Sequence, residues 1–128
     1  MRGKPTMTPE ELSAHLESFP GAIRDQPFGP TVQVFKIAGK MFAILGRRND
    51  RLAVSLKCDP FLSEILRAEH DCITPGYHLN KRHWITIEVD GSLGDDDLLG
   101  LVRHSYERVK TKLPKAERAR LDEQKAGR

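Results

Sequence analysis

The chain has 128 residues, 38% of them hydrophobic and 30% charged, with a formal net charge of +3 and a pI near 9.0. That length buries a core without help from disulfides or metals. The longest apolar runs, such as MFAIL at 41–45, fall far short of a membrane span, and the first twelve residues lack the apolar centre of a signal peptide.

In chain order, Thr8, Pro9 and Glu11 open a helix with a capping box and a first-turn proline. Leu12, His15, Leu16 and Phe19 share one face of it, and Pro20-Gly21 end it. The period then changes. Residues 31–45, TVQVFKIAGKMFAIL, predict two strands joined at Gly39-Lys40, and RRND at 47–50 connects them to a third, RLAVSLK at 51–57. In that third strand Leu52, Val54 and Leu56 alternate with Arg51, Ala53, Ser55 and Lys57, predicting one apolar face and one more polar, basic face. Asp59-Pro60 start a short helix to about Glu69, with Leu62, Ile65 and Leu66 inward. Pro75-Gly76 break regular structure, making ITPGYHLNK a loop or short extended segment. HWITIEV at 83–89 restores alternation, with Trp84, Thr86 and Glu88 on one face and Ile85, Ile87 and Val89 on the other. A long helix begins near Asp95, where three aspartates suit the helix dipole, and carries Leu99, Val102, Tyr106, Val109 and Leu113 inward. Pro114 interrupts it, and the charged remainder predicts a fraying helical tail.

This order predicts an α+β fold, a two-layer sandwich with an antiparallel sheet and helices packed on one face. The other sheet face is left open to solvent or a partner. The domain spans 8–113, with 1–7 and 114–128 as flexible or fraying termini, and the expected location is the cytoplasm.

Chemistry concentrates in PGYHLNKRHW, residues 75–84, which hold two histidines, a lysine, an arginine, an asparagine, a tyrosine and the only tryptophan. A catalytic reading lacks a nucleophile, base and orienting group at any recognisable spacing. A zinc reading of His78 and His83 lacks a third ligand, and the adjacent aspartates 95–97 point in different directions along a helix. The expectation is therefore no enzyme, no metal and no cofactor. Cys58 and Cys72 read as reduced, small hydrophobes. Two readings remain. In one, Tyr77 and Trp84 bury their rings while Asn80 satisfies loop backbone. In the other, Lys81 and Arg82 join Arg47, Arg48 and Arg51 in gripping phosphates. The region from Lys36 to Lys57 supports that second reading with six cations against one anion.

The segment PGYHLNKRHWITIEVDGSL, with GKMFAIL and LAVSLKCDP, resembles the MmcQ/YjbR-like proteins over about Thr8 to Leu113. The signature falls on Pro75, Gly76, Tyr77, His78, Asn80, Lys81, His83 and Trp84. The resemblance implies a compact fold similar to bacterial frataxin, CyaY, and DNA binding by a double-wing arrangement. The first helix carries only Glu10, Glu11 and Glu17 rather than a dense acidic ridge, so the fold analogy does not extend to iron handling. The leading expectation is a DNA-binding protein that contacts mainly phosphates through basic loops. The alternative is a small-molecule or protein-binding module using the Tyr77/His78/Trp84 loop, with no membrane partner.

Overall fold

The computed structural model describes residues 7–126, with side chains through 124. The flexible N-terminus expected at 1–7 therefore lies, but for Met7, outside the described residues; Met7 packs against the core. Helix α1 (Pro9–Glu17) has the expected start: Thr8 Oγ1 accepts from the Glu11 N–H at 3.1 Å, and Glu11 Oε1 accepts from the Thr8 N–H at 2.9 Å. Two orphan amides are thereby satisfied, and Leu12 and Leu16 are sealed in the core.

Six strands follow in one sheet: β1 (Ile23–Asp25), β2 (Gln33–Ile37), β3 (Lys40–Arg48), β4 (Arg51–Lys57), β5 (Ile73–Pro75) and β6 (Trp84–Glu88). Their order across the sheet is β1-β2-β3-β4-β6-β5, and every neighbouring pair is antiparallel. The predicted meander is therefore β2-β3-β4. Its turns differ by a residue or two from the sequence reading. The first is centred on Ala38-Gly39, both at positive φ, with Ile37 and Lys40 as the closing pair. The second is only Asn49-Asp50, also at positive φ, so Arg47 and Arg48 belong to β3 and not to the connection. Strand β1 has no counterpart in the sequence reading. It is three exposed residues on the sheet edge with no apolar alternation to announce it.

Helices α2 (Pro60–Glu69) and α3 (Asp95–Thr111) complete the layer that covers the sheet. Leu12, Leu16, Phe35, Val54, Leu56, Ile85, Ile87, Val102 and Tyr106 form one continuous core, so α1 and α3 share a sheet face as the periodicities require. Phe19 stacks on Tyr106 with ring centroids 4.6 Å apart, and Phe42 meets Tyr106 edge-on at 5.4 Å. A bulge between Phe35 and Lys36 lets adjacent Phe42 and Ala43 both reach this core.

Two inward assignments shift. Ile65 is 52% exposed, and Ser63 is the buried residue of α2, its hydroxyl accepting from Arg67 Nε. In α3 the innermost first-turn residue is Leu98, with Leu99 partly buried beside it. The chain past Pro114 forms a further helix, α4 (Lys115–Ala126), whose Leu121 is buried in the core. The domain therefore extends beyond 113, and its C-terminal segment is docked rather than fraying. Among the described residues no helix is long and apolar enough to cross a membrane. Cys58 and Cys72 are free thiols buried in the core, and burial pushes the Cys58 thiol up to about 11.

Asp59 ties the two covering helices together. Its Oδ2 accepts from the Leu62 N–H at 3.0 Å to cap α2, and its Oδ1 lies 3.8 Å from Arg108 on α3. Its own N–H donates to His104 Nε2 at 3.2 Å. That bond needs a neutral imidazole, and burial, reinforced by the nearby Arg108 charge, lowers the His104 pKa despite Asp59 acting the other way. The unfolded chain then takes up this proton at a higher pH than the folded one. The stability that His104 contributes is complete above the ordinary histidine pKa and is lost as pH falls toward the lowered folded value. Urea denaturation at pH 7.5 and 5.5 should show the parent losing more stability on acidification than His104→Gln. Equal losses would remove His104 from the junction.

Candidate ligand cleft on the open sheet face

Alternation along the strands sends Met41, Ile44, Gly46, Arg48, Ala53, Ser55, Thr86 and Trp84 to the sheet face away from the helices. The sequence predicts a more polar, basic face here, open to solvent or a partner. The structure instead covers much of it: Ala53, Ser55, Thr86 and Trp84 are all buried. The cover is the 76–83 loop, which leaves β5 and folds back over the sheet before entering β6.

Several contacts hold that loop. The Gly76 N–H donates to the Trp84 carbonyl at 2.9 Å, and the Trp84 N–H donates to the Asn80 carbonyl at 3.0 Å. Asn80 Oδ1 accepts from the amides of Arg82 and His83 at 2.9 and 3.1 Å. Lys81 Nζ donates to the Gly76 carbonyl at 2.6 Å. A Cβ at Gly76 would stand 2.6 Å from the Trp84 Cβ, so only glycine lets the strands approach this closely. His78 sits at φ 61°, a left-handed conformation rare for a side-chain-bearing residue, and this carries Tyr77 and His78 outward together with ring centroids 4.0 Å apart.

Between this loop and the segment around Phe28 lies a cleft of about 460 Å³. Small sheet residues (Gly46, Ala53, Ser55, Thr86) make its floor, and Phe28, Met41, Ile44, Tyr77 and Leu79 make most of its walls. The floor's polar atoms are already engaged. Ser55 and Thr86 share a hydrogen bond at 2.8 Å, and Thr86 Oγ1 also accepts from the Tyr77 N–H at 2.9 Å. The free hydrogen-bonding groups belong to the rim. The Arg48 guanidinium stands 4.2 Å from the Tyr77 ring centroid, and His78 lies beside it. Phe28 and Tyr77 keep 69% and 45% of their surface exposed although they line the cleft.

The basic residues expected to act as one grip are distributed. Arg47 and Arg48 both line the cleft but are engaged differently: Arg47 Nη2 donates to the Asp50 carbonyl across the turn, while Arg48 covers Tyr77. Arg51 pairs with Glu88 at 3.6 Å. Lys81 is engaged within its own loop, and Arg82 is exposed two residues before the Trp84–Lys57 end of the sheet. Arg51 and Lys57 mark opposite ends of β4, about 20 Å apart at the rise of a strand. The two histidines also part company, His78 lining this cleft and His83 lining a different cavity. Pro75 ends β5, opposite Ile85. What the sequence did not reveal is the contribution of Met41 and Ile44, which meet the signature through the sheet register, and of Phe28, which comes from the segment between β1 and β2.

The YjbR family model matches residues 17–108. The chain belongs to the YjbR family. It is 37% identical to the uncharacterized protein YjbR of Escherichia coli K12 over 115 residues, covering 90% of this chain and 98% of that one. The uncharacterized protein YbdF of Escherichia coli O157:H7 is 35% identical over 95 residues, covering 74% of this chain and 78% of the relative. The crystal structure of Deinococcus radiodurans protein DR2400, with a DUF419 domain, superposes with a TM-score of 0.84 at 37% identity, covering 94% of this chain and 92% of that one. A Pseudomonas syringae protein follows with a TM-score of 0.69 at 28% identity, covering 80% and 98% of the two chains.

Proposed function

We propose that this YjbR-family protein is a non-catalytic binding module whose open sheet face takes a small molecule with an apolar body and one anionic end. The observation that carries the reading is the cleft of about 460 Å³, apolar in most of its walls, with Arg48 and His78 as polar groups at its rim beside Arg47, which is tied to the Asp50 carbonyl. Its volume suits a small ligand, and a few placed polar groups at the edge of an apolar cavity are how such ligands are oriented. The two exposed aromatic rings give the apolar body something to cover.

DNA is the second reading, favoured by the exposed cations at 47, 51 and 82, although the fold sets them at two ends of the sheet. The two readings predict different experiments. Octanoate should bind by calorimetry, octanol more weakly, and Arg48→Gln should erase most of the difference, weakening octanoate about fivefold or more, equivalent to about 1 kcal/mol. Equal binding of octanoate and octanol, or binding by neither, would count against the cleft. If the protein instead holds duplex DNA, replacing Arg51 or Arg82 by glutamine should lower the salt slope by about 1 for each phosphate no longer neutralised.

A further inference from the structure

A second cavity, of about 470 Å³, opens where the start of β3, the end of β4, the start of β6 and the last turns of α3 meet. Lys40, Lys57, Arg108 and Lys112 line it together with His83 and Trp84. The cations arrive from β3, β4 and α3, so they are not one solvated run of like charge. Among the described residues no acidic one lines the cavity. Among the described residues Arg108 has a carboxylate partner, Asp59 at 3.8 Å, whereas Lys40, Lys57 and Lys112 have none within ion-pair distance. The negative C-terminal end of the α3 dipole accounts for Arg108 and Lys112. It does not account for Lys40 and Lys57, which the sheet delivers.

We propose that this cavity binds a phosphate-bearing small molecule through an anionic part of at least two phosphate charges. Three hydrogen bonds fix two of the wall positions, Lys57 and His83, without the ligand. The Lys57 N–H donates to Ser105 Oγ at 2.8 Å, the Cys58 N–H to the His83 carbonyl at 2.9 Å, and the His83 N–H to Asn80 Oδ1 at 3.1 Å. Preorganised walls reduce the ordering cost of binding. Lysine ammoniums on flexible stems can meet tetrahedral oxygens from several directions, while the Arg108 fork takes two oxygens at once. A lone planar carboxylate would leave most of these donors unmatched. Like charges converging in a concave site focus its field and draw in a polyanion. The non-ionic remainder of the ligand would rest on Met41, Val109 and Leu113.

The site carries its own reporter. Trp84 is the chain's only tryptophan, and Lys57 Nζ lies 5.7 Å from its ring centroid, so neutralising Lys57 should alter its emission. Inorganic pyrophosphate should change Trp84 fluorescence saturably, and calorimetry should give the same Kd. Lys57→Gln and Lys112→Gln, checked for folding by circular dichroism, should each weaken binding about tenfold. Arg48→Gln should leave it unchanged, because the two cavities share only Met41. This also keeps the present test separate from that of the sheet-face cleft. Absence of binding by both methods would overturn the proposal, as would a Kd indifferent to the two lysine substitutions. Citrate binding as tightly as pyrophosphate would overturn the assignment to phosphate.

Discussion

Replacing Trp84 by alanine should destabilise the protein by about 3–5 kcal/mol, the range for deleting a large buried aromatic. Only 6% of the residue is exposed, and its backbone is paired on both sides, to Gly76 and to Asn80. The Trp84 Cβ packs under Gly76 of the loop whose backbone it pairs, so removing the indole should loosen that loop and with it the wall that carries Tyr77 and His78. A merely space-filling tryptophan would lower the urea midpoint alone. Here octanoate affinity should also fall in molecules that remain folded, and Trp84→Phe should recover part of both. Because the substitution removes the only tryptophan, unfolding is followed by far-ultraviolet circular dichroism. Arg82→Gln is the contrast: an exposed cation should change stability by less than about 0.5 kcal/mol. A small effect of Trp84→Ala would remove the loop's anchor and the account of the signature with it.

The helices and the central strands were legible because each writes its period where burial enforces it. Thr8-Pro9 and Asp59-Pro60 announce helix starts through local hydrogen bonding, which needs no tertiary partner. Leu52, Val54 and Leu56 alternate because one face of β4 lies under the helices. Strand β1 left no such trace, since an edge strand exposed on both faces needs no pattern. Ile65 misled for the opposite reason: an apolar residue at helical spacing can still be left on the surface. Turn positions were displaced because the strand ends at Arg47 and Arg48 are polar, and polarity reads as connection.

The candidate site was half legible. Composition alone marked 75–84, and the structure shows why its residue types are demanded: glycine by the close approach to Trp84, asparagine by two loop amides, lysine by the Gly76 carbonyl. The cationic grip was inferred from nearness in sequence. Neighbours on a strand point to opposite faces, and register, not spacing, decides which distant residues share one. The same register brings Lys40 and Lys57 beside the end of α3, a grouping that no linear count of charge displays.

The C-terminal helix gives the second large effect. A fraying tail would tolerate Leu121→Ala within about 0.5 kcal/mol, whereas a docked core leucine loses roughly 2–5 kcal/mol. The structure supports the larger value, because Leu121 is 5% exposed within the core and the Lys110–Asp122 ion pair, at 2.7 Å, holds α4 against α3. One buried leucine in a charged helix makes no periodic stripe, so its role is invisible until its partner is known. That partner is the turn after α1. Gly21 has φ 76°, and a Cβ there would stand 2.3 Å from Leu121 Cδ2. Gly21→Ala should therefore destabilise twice, through the positive φ, at about 1 kcal/mol, and through collision with Leu121. In a Leu121→Ala background the collision disappears and only the backbone cost remains. The double variant should then lose less stability than the sum of the single variants, a coupling of about 0.5–3 kcal/mol by urea denaturation. Strict additivity would place α4 away from the α1 turn.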